Sequence, residues 1–311
     1  LSEDIIKNKL SGSGYKSYGV VKERPEVSKP EQEIVDLFSQ LFKSIVTEWR
    51  LRIKEDSTRD ITEWESSHVK QEYIDQLKTG YKIEKIYGCT LIAYARCENI
   101  WIAFQIGDGK CIAFNDAEEL FSEPIPWDEQ CFLTRTTSLC GSSPLDDFRF
   151  CYEGDGKFPC AVFMGSDGID DTFPEDSLRN FYVSLSKFVL NNGSEPLVDE
   201  LKVDLPALSK KGSQDDMSIA CIFDRVALAG LLPKILQKQL EELDSAISEM
   251  QSSVAEQKKK AAEYGSQAVL SEKQKVNYNY LLKDITKLEQ KIEKVKAKKS
   301  ELEKEIQLLK Q

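Results

Sequence analysis

The stretch IWIAFQIGDGKCIAF, residues 100–114, decides how the fold is read. Two runs rich in apolar, aromatic and β-branched residues flank a Gly-Asp-Gly break, a pattern of strands and not of a helix. Upstream, YGCTLIAYARC (87–97) has the same character. CENI (97–100) and GDGK (107–110) read as tight turns, so three antiparallel strands joined by hairpins are expected between about Ile83 and Phe114. Further strands are expected at FRFCYE (148–153) and CAVFMGS (160–166), with MSIACIFD (217–224) closing the domain as a buried strand.

Helical periods flank these strands. Ser28 and Glu31 have capping-box spacing with Pro30 in the first turn, and Ile34, Leu37, Phe38, Leu41, Ile45 and Trp49 follow on one face. A second helix is expected after Pro174, carrying Leu178, Phe181, Leu185 and Phe188. Residues 1–30, broken by Gly12, Gly14, Gly19, Pro25 and Pro30, show no period and are expected to be loop. Beyond Gly230 the pattern changes to heptads. Leu236, Leu240, Leu243, Ile247, Met250 and Val254 form one run. Ile285, Leu288, Ile292, Val295, Leu302, Ile306 and Leu309 form another, with Lys299 at one seam position. Gly265 and Ser266 interrupt the period ahead of a candidate cap at Ser271, so an antiparallel coiled-coil hairpin is expected in preference to one rod. The domain reading is therefore 1–228 globular and 229–311 coiled coil.

Hydrophobic residues make up 41% of the 311, enough for a sizeable core, and the net charge of −11 argues against nucleic-acid and membrane-surface partners. No run approaches the roughly 20 apolar residues of a membrane span, and no signal peptide is visible. The eight cysteines form no C-x-x-C pair, and with His68 as the one histidine a zinc site is not expected. Reduced thiols point to the cytoplasm. The sequence opens on Leu1 and not on Met, and is read as a fragment or processed product.

Three acidic motifs stand at predicted strand ends. Asp108 lies in IGDGK, Asp167 in FMGSDGIDD with Asp170 and Asp171 behind it, and Asp215 and Asp216 in GSQDDMSIA. Carboxylates at strand ends can converge on one edge of a sheet pair, and oxygen-only clusters suit Mg²⁺ or Mn²⁺.

Taken in order, these motifs resemble the protein phosphatase 2C family, especially its bacterial branch. YGCTLIAYA (87–95) resembles the family's Gly-Ser/Cys-Thr strand, and WIAFQIGDGKCIAF (101–114) its Gly-Asp-Ser/Gly hairpin. Thr137-Ser138-Leu139 in FLTRTTSLC (132–140) is similar to a motif of the bacterial branch. FMGSDGIDDTF (163–173) resembles the Ser/Cys-Asp-Gly block, and QDDMSIACIFD (214–224) the closing strand. The resemblance spans about residues 31–224. It implies an α+β fold, an α/β/β/α sandwich of antiparallel sheets, with a dinuclear Mn²⁺ or Mg²⁺ centre at one edge. By motif, Asp167 and Asp215 would be ligands of one metal, and Asp171 and Asp108 would line the edge where a looser ion sits. Gly168 would give the turn its backbone freedom. The implied reaction is hydrolysis of phosphoserine or phosphothreonine in a phosphoprotein by metal-activated water, without a covalent enzyme intermediate.

One departure stands against this. The family's Asp-Gly-His-Gly block, whose Asp bridges both metals, has no counterpart here. The nearest look-alike is Ser11-Gly12-Ser13-Gly14, in which Ser11 would replace the Asp and Ser13 the His. His68 sits in a polar, helix-like run and reads as a surface residue. The expectation is a Mn²⁺/Mg²⁺-dependent phosphatase whose coiled coil self-associates or docks a partner protein. The alternative is an inactive pseudophosphatase scaffold. A third possibility makes the helical hairpin the functional part.

Overall fold

In the strand Ile100–Ile106 every residue is buried, so the side-chain period of two sorts two apolar environments and not core from solvent. The computed structural model describes residues 3–132, 135–266, 269 and 271–309. The chain divides into two compact units, Leu1–Leu228 and Ala229–Gln311.

The strands of the first unit are β1 (Lys16–Tyr18), β2 (Leu91–Cys97), β3 (Ile100–Ile106), β4 (Lys110–Phe114), β5 (Phe121–Ser122), β6 (Arg149–Glu153), β7 (Ala161–Gly165) and β8 (Ile219–Phe223). They form two four-stranded antiparallel sheets, in the orders β1-β6-β3-β2 and β5-β4-β7-β8. The helices are α1 (Glu3–Leu10), α2 (Lys29–Asp56), α3 (Glu63–His68), α4 (Gln71–Thr79), α5 (Pro144–Asp147), α6 (Asp167–Asp170), α7 (Glu175–Asn192) and α8 (Ser194–Lys211). Then α9 (Arg225–Gly265) and α10 (Glu272–Leu309) follow.

Alternate residues of β3 take opposite sides. Ile100, Ile102, Phe104 and Ile106 join Phe148, Phe150 and Tyr152 under α2, which contributes Ile34, Val35, Phe38, Phe42 and Val46. Phe38 stacks on Phe150 at 4.1 Å and Phe42 on Phe148 at 4.2 Å between ring centroids. Trp101 and Ala103 face the other way, against Cys111, Ala113 and Val162 of the second sheet. On the far side of that sheet Phe163 stacks on Tyr182 of α7 at 4.8 Å. The layers run helix, sheet, sheet, helix, as expected. The helix α2 starts where the sequence places it, with Glu31 Oε2 accepting from both the Ser28 amide and hydroxyl.

Four expectations are corrected. The GDGK turn does not join a hairpin: β3 and β4 belong to different sheets, and the turn carries the chain across the sandwich. Strand character begins only at Leu91, because Ile83–Lys85 is a short 3-10 turn. Residues 1–30 are not all loop, since α1 and β1 form there and bury Leu10, Tyr18 and Val20. A three-residue strand is too short to show a period. Finally, β8 is not buried. It is an edge strand with Ala220, Cys221 and Ile222 exposed, so its apolar composition overstated its cover.

In the second unit α9 and α10 form an antiparallel hairpin. Ile247, Val254 and Ala261 pack with Ile285 and Ile292, supported by Met250, Tyr278, Leu281, Leu288 and Val295. Lys258 pairs with Glu289 at 2.8 Å. The polar seam residue Lys299 reaches Asp244 at 2.5 Å. Gln274 Oε1 accepts from the Ser271 amide at 2.9 Å, closing the cap that the sequence suggested. All eight cysteines are free. Among the described residues no helix is long and apolar enough to cross a membrane.

Candidate metal centre

The strand registers bring the three acidic motifs to one end of the sandwich. Lys110, opening β4, lies opposite Gly165, which closes β7, and Gly165 lies opposite Ile219, which opens β8. Asp108 precedes the first of these strands, Asp167 follows the second and Asp215 precedes the third.

Three close approaches pack these turns against their neighbours. At Gly109 a Cβ would stand 2.4 Å from the Gly165 carbonyl oxygen, so the Asp108 turn packs directly on the end of β7. Gly107 has φ +111°, and a Cβ there would meet Thr90 at 2.4 Å, so only glycine suits the position. At Gly168 a Cβ would stand 2.5 Å from the Asp216 carbonyl oxygen and 3.5 Å from Asp215 Cβ. Gly168 therefore serves by lacking a side chain where two segments touch, and not by the backbone freedom expected of it; its φ is not left-handed. Serines tie the same segments. The Ser166 amide donates to Ser218 O at 3.0 Å, and Ser213 Oγ donates to Gly168 O at 2.9 Å.

Asp167 and Asp108 are half-buried, while Asp171 and Asp215 are exposed. Asp167 Oδ1 accepts from the Gly168 amide at 2.8 Å, and Asp215 Oδ1 from the Asp216 amide at 2.8 Å. Burial raises the Asp167 carboxyl above the ordinary carboxylate range, and the charges of Asp108, Asp215 and Asp171 push it the same way against the opposing Gly168 hydrogen bond. Burial also lifts Asp170 to about 7, opposed by Lys110. Its Oδ1 is buried without a hydrogen-bond partner among the described residues.

The sequence reading missed Gln105 and Arg149. They lie opposite each other in register, on the inter-sheet side of β3 and β6, and both are buried. Gln105 Nε2 donates to Gly107 O at 3.1 Å and also to Gly109 O, and Arg149 Nη2 donates to Gly107 O. For Gln105 the signal was parity, a polar residue at an inward position of an otherwise apolar strand; Arg149 shares its inward parity with a second buried polar residue, Glu153.

A family model described as Protein phosphatase 2C matches residues 22–202. The chain belongs to the protein phosphatase 2C family. No curated protein and no solved structure matches it. The match takes in Asp108, Asp167 and Asp171 of the phosphatase 2C edge and ends before Asp215.

Other elements of the phosphatase unit stand elsewhere. The Gly12 amide donates to Gly154 O, and the Gly154 amide to Ser13 O, at the end of β6 beside Asn99. That is the opposite end of β3 from Gly107, about 20 Å away at ~3.3 Å per residue. Ser11 and Ser13 thus lie away from the acidic edge, at the other end of the sheets, and cannot join Asp108, Asp167 and Asp215 there. His68 is exposed on α3, stacked on Trp64 at 4.8 Å. Leu133 and Thr134, part of the quoted 132–140 run, lie outside the described residues.

The donor chemistry of the edge fits a hard cation: the ligands on offer are carboxylate oxygens, and a positive charge would relieve Asp167, which the neighbouring acidic side chains load. Among the described residues no three His, Cys, Asp or Glu side chains converge to form a metal-holding group.

Proposed function

We propose that residues 1–228 form a Mn²⁺- or Mg²⁺-dependent protein serine/threonine phosphatase, cytoplasmic, acting on phosphoserine or phosphothreonine in a phosphoprotein. In this reading residues 229–311 are a coiled-coil segment for self-association or partner docking. The observation that carries the reading is the carboxylate rim, where Asp167 is half-buried and loaded by three further acidic side chains. Such a concentration of negative charge costs stability unless a cation compensates it. Asp167 and Asp215 would hold one ion, and Asp108 and Asp171 would line the edge beside it. Bound there, the ions would supply Lewis acidity for hydrolysis of the phosphoester by water. Gly168 lets the Asp167 and Asp215 segments touch, and Ser166 and Ser213 keep them in place. Metal-dependent release of phosphate from a phosphopeptide, abolished by chelator and by Asp167→Asn, tests the reading; metal-independent release would overturn it.

One observation favours a second reading. No Asp-Gly-His-Gly block is present in the sequence, and its look-alike lies at the wrong end of the sheets. A phosphatase unit that binds a phosphopeptide without turnover, on a helical scaffold, would fit that finding. Phosphopeptide binding with no phosphate release, in a folded sample loaded with Mn²⁺, would select it.

A further inference from the structure

A buried polar cluster lies directly behind the Asp108 turn. Gly107 O accepts from Gln105 and from Arg149, Gly109 O accepts from Gln105, and the Gly107 amide donates to Thr137 Oγ1 at 3.1 Å. Four hydrogen bonds, three donated by Gln105 and Arg149 and one accepted by Thr137, therefore converge on the backbone of one three-residue turn. Thr137 Oγ1 in turn donates to Asp128 Oδ2 at 3.2 Å. Asp128 is fully buried and fixed by the Gln130 amide, which donates to its Oδ1 at 3.0 Å. A carboxylate accepts only, so it takes the hydroxyl proton and leaves a Thr137 lone pair for the Gly107 N–H. Arg149 Nη1 also donates to Pro126 O at 3.0 Å, tying the same cluster to the loop that carries Asp128.

This arrangement is costly as plain core. Arg149 is 1% exposed, and its Nε has no hydrogen-bond partner among the described residues. An apolar side chain of similar size would fill the space between the sheets more cheaply. What the polar residues provide is a fixed geometry for the turn that carries Asp108.

We infer that Thr137 is a positioning residue for the carboxylate rim, holding the Gly107–Asp108–Gly109 turn in place together with Gln105 and Arg149. The role rests on the metal reading of the rim given above. It also gives the Thr-Ser-Leu motif a purpose: its threonine hydroxyl links the turn to buried Asp128. Supporting groups of this kind typically change metal affinity by about 10–100-fold when removed.

Thr137→Val keeps the branched shape and deletes the hydroxyl, while Thr137→Ser keeps the hydroxyl. In the full chain, Thr137→Val is expected to weaken Mn²⁺ binding, measured by calorimetry, by about 10–100-fold. It is also expected to speed hydrogen exchange at the Gly107 amide, and Thr137→Ser should restore both. Unchanged Mn²⁺ affinity in Thr137→Val, or a loss that Thr137→Ser does not repair, would overturn the inference. If the parent chain binds no Mn²⁺, the metal reading of the rim falls, and the exchange comparison alone decides the positioning role. Faster Gly107 exchange in Thr137→Val, repaired in Thr137→Ser, then supports that role, and equal exchange refutes it.

Discussion

Gly168→Ala adds one methyl group at the point where the Asp167 turn meets the Asp215 segment. The new Cβ would lie 2.5 Å from the Asp216 carbonyl oxygen. A close carbon–oxygen contact is about 3.3 Å, so the two segments must part by roughly 0.8 Å. The obstacle is backbone and cannot swing aside, and the Ser166 and Ser213 hydrogen bonds resist the separation. Overpacking of this kind costs about 1–3 kcal/mol, and each kcal/mol lowers the Tm of a domain this size by about 2–4 °C. The chemical effect should be larger than the thermal one, because a displacement near 1 Å at a reacting centre can cost about 100-fold in rate. The assay is Mn²⁺-dependent hydrolysis of p-nitrophenyl phosphate, with thermal melting followed by circular dichroism on the same samples. Gly230→Ala is the control, since a Cβ there meets nothing within 4 Å. A Gly168→Ala chain that melts like the parent and hydrolyses within twofold of it would refute the close-approach argument.

Three further outcomes are expected. The Asp170 carboxyl is raised from 3.8 to about 7 in the fold, so the native state binds its proton more tightly than the unfolded chain, and stability is lost as pH rises from the lower value to the higher. In metal-free buffer Asp170→Asn should raise the Tm at pH 8 and bring little gain at pH 4; an equal gain at both would contradict the assignment. Phe42→Ala empties the stack on Phe148 beneath α2 and should cost about 3–5 kcal/mol in urea unfolding. A loss below about 1 kcal/mol would mean that α2 does not pack as described. Ile292→Ala, in the hairpin seam, should lower hairpin stability by about 2–5 kcal/mol and leave Mn²⁺-dependent turnover unchanged. A matching fall in turnover would contradict the separation of the two units.

The layers of the sandwich were legible because β3 and β6 carry apolar runs between turn signals, and α2 announces itself by a capping box and a clean apolar face. The hairpin was legible for the same reason, since Ser271 and the heptads on either side of it are local signals. What the sequence hid was non-local. A Gly-Asp-Gly turn between two strands looks the same whether the chain folds back in one sheet or crosses to another; only pairing of β4 with β7 distinguishes them. The runs of α1 and β1 are too short for a period, and β8 reads as buried from composition because burial depends on neighbours it does not name. At the site, the acidic motifs were visible as strand-end residues, and the registers place them at one end of the sheets. The contacts that hold their turns were not visible, because Gly168 meets a segment nearly fifty residues away and Arg149 reaches back from β6 to Gly107 at the end of the neighbouring strand β3. The Ser11–Gly14 resemblance failed on this ground: two glycines at the right spacing matched a local pattern, and the fold carried them to the other end of β3.

The measurement that tests the central claim most directly is Mn²⁺ titration of phosphopeptide hydrolysis by the full chain and its Asp167→Asn variant, each with and without chelator. The account predicts turnover that rises with Mn²⁺, vanishes with chelator and is lost in Asp167→Asn while the variant stays folded. Turnover that persists in Asp167→Asn, or a folded parent chain that releases no phosphate at saturating Mn²⁺, would contradict it.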